Sequence, residues 1–188
     1  LLAAARQAGL AAAAVGKLGP VAIQDVTARD GEKTVIVDDS TGHPTGIPLS
    51  AAMQDALKQA GLPLEAPSRG ANGKAGNATT PGTLSANVEQ QRYFLDVTNQ
   101  VLLPRFKASG KPFVLVFWSR DPDGTQHNQG DSLGKVTPGI NGPTSLAAIR
   151  NVDANLGALR ARLKELGLDG NTDIFVSADH GFSTIQIG

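Results

Sequence analysis

Two short stretches put carboxylates and imidazoles where they could act together. One is residues 111–131, KPFVLVFWSRDPDGTQHNQGD, and the other is residues 173–181, DIFVSADHG. Each opens as an apolar, β-rich run, Phe113–Trp118 in the first and residues 174–176 in the second, and each empties into aspartate and histidine. Asp123 with His127, and Asp179 with His180, form two such pairs and use two of the chain's 3 histidines. Carboxylate oxygen and neutral imidazole nitrogen are hard-to-borderline donors that suit Zn, Mn or Fe, and a metal that carries chemistry keeps one position open for water or substrate. Each pair supplies two ligands where zinc normally takes about four. The pairs must therefore be folded together or completed from elsewhere. A double set of this kind best serves two ions roughly 3.5–4 Å apart, clamping the attacking and leaving oxygens of a phosphoryl transfer.

Such residues need elements to deliver them. In open α/β sheets, ligand sites gather beyond the carboxyl ends of the strands, because helices cover the faces and the loops at that edge are free to vary. The unbroken apolar run Phe113–Trp118 predicts a central strand covered on both faces. Residues 173–178 predict a last strand, with Asp179 and His180 following directly. Neighbours on an extended strand point to opposite faces, so the two can share one ion only if the chain bends there, which Gly181 permits. In the loop after Trp118, Asp121 and Asp131 are alternatives to Asp123 as the ligand, and a hydrogen-bonded loop histidine is the plain alternative for His127. The D-P-D-G opening is not a calcium loop: its glycine comes two positions early and no Glu stands at the twelfth place.

The remaining elements read as a succession of strand and helix. Residues 1–8 look like the end of an apolar helix closed by Gly9, followed by a short strand over 10–15 and a plain turn over 16–20. Gly16-Lys17 lacks the frame of a phosphate-binding loop. Residues 33–37, KTVIV, form a second strand, with Asp38-Asp39 just past its end read as a solvated turn. His43, among loop residues, reads as a surface or substrate-cap histidine. Ser50 caps a helix with Met53, Ala56, Leu57 and Ala60 on one face. Residues 64–82 shift to Pro, Ser, Gly, Asn and Thr and predict a mobile loop, since such a composition buries too little surface to offset its ordering entropy. A long helix follows from Ser85, which Pro104 should kink or whose regular part it should end. Ser145 caps the clearest helix, with Ile149, Val152, Leu156, Leu159, Leu163 and Leu166 on one stripe and Gly167 at its end. Asp153 lies on the flank of that stripe, placed either to brace a ligand histidine or to reach solvent.

Composition narrows the function classes. At 188 residues the chain reads as one α/β domain, and its 4% of aromatic residues mean a core of Leu, Val, Ile and Ala. Lys plus Arg and Asp plus Glu number 17 each, so no net field favours tracking along nucleic acid or an anionic membrane surface. With 0 Cys there is neither a disulfide framework nor a thiolate ligand. No apolar run approaches the roughly 18 residues of a membrane span. The chain opens mid-pattern at Leu1 without an initiator Met, as an excised portion of a longer protein would.

The P-D-G-T-Q-H of residues 122–127 and the S-A-D-H-G of residues 177–181 resemble, in order and separation, the second and third metal motifs of the type I phosphodiesterase/nucleotide pyrophosphatase family of the alkaline phosphatase superfamily. The resemblance implies a three-layer sandwich, with a mostly parallel sheet and helices on both faces. It also implies two divalent ions, zinc or manganese, and a small phosphate-ester or nucleotide substrate whose ester or pyrophosphate bond is hydrolysed through a Thr or Ser nucleophile. Asp123 and His127 then resemble ligands of one metal, Asp179 and His180 ligands of the other. One departure stands out, because Gln126 occupies a position where the family usually has Gly. The nucleophile motif is expected before this chain and the last metal histidine after Gly188, so the fragment alone is expected to be inactive. Within the superfamily a sulfatase or phosphonate hydrolase is the alternative enzyme, and a degenerate binding module the alternative outside catalysis. A periplasmic or secreted setting follows from the resemblance only, and oligomeric state is not legible.

Overall fold

The computed structural model describes residues 1–77, 79–131 and 135–185. Three strands, β1 (Ala11–Gly16), β2 (Val35–Asp38) and β3 (Phe113–Trp118), form one parallel sheet in the order β2-β1-β3. The register sets Gly16 opposite Asp38 on one side and opposite Trp118 on the other. The three strands therefore end level, and the loops leaving them start from one edge.

Helices cover both faces, which is the α/β architecture expected from alternating strand and helix signals. Period-two alternation assigns strand residues to the two cores. Ala13, Val15 and Val37 face one cluster with Met53 and Leu57 of α3 (Ala51–Gln59), Phe94 of α4 (Val88–Asp96), Leu103 and Phe106 of α5 (Leu103–Ser109), and Leu163 of the long helix α7 (Pro143–Glu165). Ala12, Ala14 and Ile36 face the other cluster, with Leu2 of α1 (Leu2–Gln7) and Val21 of α2 (Leu18–Ala22). Four consecutive alanines on the middle strand leave room for the helices to approach from both sides. Ser50 caps α3 as read, its hydroxyl accepting from the Met53 amide at 3.2 Å. Among the described residues no helix is long and apolar enough to cross a membrane.

Several expectations are corrected. The middle strand is β1, whereas β3 is an edge strand whose six residues are all only partly buried. The predicted last strand does not form: residues 173–178 pair with no other segment, and Phe175 is 92% exposed. Ile174 and Val176 are 43% and 76% exposed as well, so these residues bury too little surface to offset the cost of ordering a strand. The plain turn read over 16–20 contains instead the short helix α2, whose first turn tolerates Pro20 because amides there have no helical partner. Ser145 is not a cap, since α7 begins at Pro143 and Ser145 is buried within its first turn. The stripe predicted on α7 is only partly covered, with Leu163 buried and Ile149 exposed. The regular part of the long helix does end short of Pro104, at Asp96, as read. The helix then widens into a π-helical segment over Val97–Leu102 before α5, an accommodation for the amide that proline lacks.

The described residues of the 64–82 stretch contain one 3₁₀ turn, Gly70–Gly73, and are fastened to the rest of the fold at several points. Ala66 and Asn72 are buried, and the Asn72 amide donates to the Ser85 carbonyl and to Thr125 Oγ1, both at 2.8 Å.

Candidate functional site

The level edge of the sheet carries the chemistry. From the tip of β3 the chain runs through Arg120, Asp121 and Pro122 into a single helical turn, α6 (Asp123–Gln126). Asp121 is buried and braces this turn. Its carboxylate accepts the Asn87 amide at 2.9 Å and the Thr125 hydroxyl at 2.8 Å. Burial pushes the Asp121 carboxyl above the usual range, and these hydrogen bonds together with Arg120 only partly offset that. Gln126, the departure noted in the sequence, is buried, and its side-chain amide donates to Ser145 Oγ at 2.9 Å, pinning α6 to α7. The backbone stays helical, with His127 N–H donating to the Asp123 carbonyl at 3.0 Å. Farther along, Thr83 exchanges backbone hydrogen bonds with Asn128 (2.8 Å) and Gly130 (2.6 Å), and Asp131 accepts the Thr144 amide at 2.8 Å. Asp121 and Asp131, the alternatives to Asp123, are thus occupied in holding the loop.

Asp123 presents two different faces. Its Oδ1 lies 3.1 Å from His127 Nε2 and 3.5 Å from His180 Nε2. That oxygen is enclosed and has no partner in hydrogen-bonding geometry. Its Oδ2 faces Lys17 Nζ at 3.4 Å. His180 is reached through a bend at Asp179, whose Oδ2 stands 3.7 Å from the same Nε2. Phe182 follows and sets its ring edge-on to His127, with centroids 5.0 Å apart. The structure therefore gathers Asp123, His127 and His180, with Asp179 on the outer side of His180. The Gly181 carbonyl, 2.6 Å from His180 Nδ1, raises the pKa of that imidazole, and Asp179 and Asp123 act in the same direction.

The donor chemistry fits a divalent cation. The orphaned Asp123 oxygen 3.1 Å from His127 Nε2 has the spacing of neighbouring ligands about 2.1 Å from a shared centre, and Asp179 Oδ2 with His180 Nε2, 3.7 Å apart, forms a second, looser pair. The set is not closed, because among the described residues no group of three or more His, Cys, Asp or Glu side chains is arranged to hold a metal ion.

Sequence reasoning missed two participants at this edge. Lys17, read as part of a plain turn, leaves the tip of β1 and reaches Asp123. Asp39, read with Asp38 as a solvated turn, ties the strand tips together: its carboxylate accepts the Leu18 amide at 2.9 Å and pairs with Arg120. Asp38 is fully buried, and burial raises its carboxyl pKa, with Asp39 adding to the rise. The signal for all of them was the one used for β3, a polar residue immediately beyond an apolar strand. His43 has an acidic neighbour, Glu65 at 3.4 Å, and both are exposed. A shallow depression of about 580 Å³ lies between α7 and residues 172–174. It is lined by Arg160, Lys164, Asp169 and Asp173 among others and includes none of the four candidate ligands.

The model of the family described as type I phosphodiesterase / nucleotide pyrophosphatase matches residues 4–188 of the chain. No curated protein and no solved structure matches it significantly.

Proposed function

Because the chain belongs to the type I phosphodiesterase/nucleotide pyrophosphatase family, we propose that the edge formed by the tips of β1 and β3 is a two-metal phosphoryl-transfer site. Membership implies a hydrolase of the phosphodiesterase/pyrophosphatase type acting on a small phosphate ester. The finer reading is that Asp123 and His127 hold one divalent ion and Asp179 and His180 the other, zinc or manganese in each case. The observation that carries it is the enclosed Oδ1 of Asp123 facing His127 Nε2 at 3.1 Å, with the Asp179–His180 pair brought alongside. Bound there, such ions polarise a phosphoryl oxygen and lower the pKa of the attacking hydroxyl or water.

The protein's own groups have separable tasks. The helical turn α6 presents Asp123 and His127 on one side, as residues four apart do. Asp121, Thr125 and the Gln126–Ser145 hydrogen bond hold that turn against the sheet edge. His180 must be neutral to ligate, so the raised pKa of its imidazole makes metal uptake fall off on acidification from a higher pH than an ordinary histidine would give. With two ligands per ion rather than about four, the chain by itself binds the ions weakly and turns over essentially nothing.

Calorimetric titration of zinc into the purified chain tests this. The expected result is weak, saturable uptake approaching about two ions per chain, abolished for one ion by His127→Ala and for the other by His180→Ala. No saturable uptake, or wild-type uptake by both variants, would refute the metal assignment. Chelator-sensitive hydrolysis of bis(p-nitrophenyl) phosphate by the isolated chain would refute the inactivity.

A further inference from the structure

We infer that Lys17 is the residue that binds the anionic oxygens of the substrate phosphoryl group, an inference that rests on the hydrolase reading and adds to it a residue outside the four candidate ligands. Lys17 is the first residue beyond β1, and its backbone amide donates to the Trp118 carbonyl at 3.3 Å, so its stem starts from the level edge of the sheet. Gly16 makes that start possible. A Cβ there would collide with the Trp118 carbonyl, and its φ of +131° is one that other residues rarely adopt.

The ammonium meets Oδ2 of Asp123, while Oδ1 faces His127 and His180. An ammonium has three donors. One is directed to Oδ2, and with 36% of the side chain exposed the others remain open to a ligand. Of the other cations near this edge, Arg120 is paired with Asp39, which also holds the Leu18 amide, and Arg69 lies within electrostatic reach of Asp39 and Asp121. A phosphoryl group brought beside the two imidazoles would present oxygens to Lys17 without displacing any of these contacts. The interaction is charge-assisted, the kind that a compact, rotatable ammonium makes with phosphate.

The test is the affinity for inorganic phosphate of the wild-type chain, Lys17→Met and Lys17→Arg. Titrations are run with and without saturating zinc, and the zinc affinity and melting curve of each protein are recorded alongside. Loss of one charge-assisted hydrogen bond should weaken phosphate binding by about tenfold or more in Lys17→Met, with or without zinc. Lys17→Arg should retain most of the affinity. Zinc affinity should change little in either variant. Unchanged phosphate affinity in a folded Lys17→Met, or no phosphate binding by the wild type in either condition, overturns the inference. So does a variant that loses zinc but keeps phosphate, which would make Lys17 a latch for Asp123 only. Should the wild type take up phosphate through Lys17 while failing to bind zinc, the metal assignment falls and this inference stands.

Discussion

Asp25 is fully buried in the loop between α2 and β2 and carries a dense set of donors. Thr34 Oγ1 lies at 2.6 Å, Thr27 Oγ1 at 2.7 Å, the Thr27 amide at 3.0 Å and Arg6 Nη2 at 3.2 Å. Burial alone would push its carboxyl upward, but the hydrogen bonds from Thr34, Thr27 and Arg6 outweigh burial and hold it well below the usual carboxylate range. The sign of the linkage follows. A group whose pKa is depressed in the fold contributes stability that is complete above the unfolded value of about 3.9 and is lost as pH falls through the folded one. Asp25→Asn should therefore cost about 2–3 kcal/mol at pH 7, because it removes the charge and turns one acceptor into a donor among donors. The difference between variant and wild type should shrink steadily below about pH 4. Asp38 and Asp121 act in the opposite sense, since burial raises both. The wild-type profile alone is then ambiguous, and urea unfolding of both proteins at neutral and acid pH reads the Asp25 contribution by difference. A gap independent of pH would rule this account out. Nothing in the sequence distinguished Asp25 from an ordinary loop aspartate, because its partners come from three separate segments. Asp123 and His127 could be singled out as a pair, because they lie four residues apart just beyond an apolar strand.

At the scale of elements, the tips of β1 and β3 are pressed together at Gly16 and Trp118, which lie opposite each other in the sheet. Gly16→Ala forces a Cβ into the Trp118 carbonyl at a backbone angle unsuited to alanine. Neighbouring backbone is less able to yield than a flexible side chain, so a cost of about 2 kcal/mol or more is expected in thermal unfolding. The same change should move the emission of Trp118, the chain's 1 tryptophan, while leaving helix content unaltered. Wild-type stability and emission would mean that the two tips do not meet. Elements were legible in proportion to their local signal. The helix beginning near Ser50 and the one ending at Gly167 announced themselves by period and terminal residues, and the apolar run Phe113–Trp118 announced a strand. Its place in the sheet was not legible, because an unbroken apolar run marks burial on two faces and says nothing about how many neighbours pair with the strand's edges. The short helix α2 was hidden for a different reason. Gly16, Gly19 and Pro20 are turn residues in most contexts, and only packing of Val21 and Ala22 against the sheet selects the helix.

Across the whole molecule, the two halves of the proposed site are held with unequal security. Asp123 and His127 sit on a turn fastened by buried hydrogen bonds to α4, α7 and the 64–82 segment. Asp179 and His180 sit on a segment that pairs with no strand, where Phe175 and Val176 are 92% and 76% exposed. Apart from the close approach of His180 to Asp123, this segment meets the site through the edge of the Phe182 ring against His127. An exposed, unpaired backbone opens readily and is where proteases cut first. Chymotrypsin should accordingly cleave after Phe175 long before it reaches core aromatics such as Phe94, and mass spectrometry would show a shortened core that persists. Zinc held by Asp179 and His180 would order the loose segment where it meets the site, by about 2.7 kcal/mol at a free concentration near 100 times its dissociation constant. Cleavage that depends on opening should then slow by up to about a hundredfold. His180→Ala should remove the protection while leaving the rate without zinc unchanged. Equal rates with and without zinc in the wild type would mean that no ion orders the segment carrying Asp179 and His180, however the side chains are disposed when the chain is free.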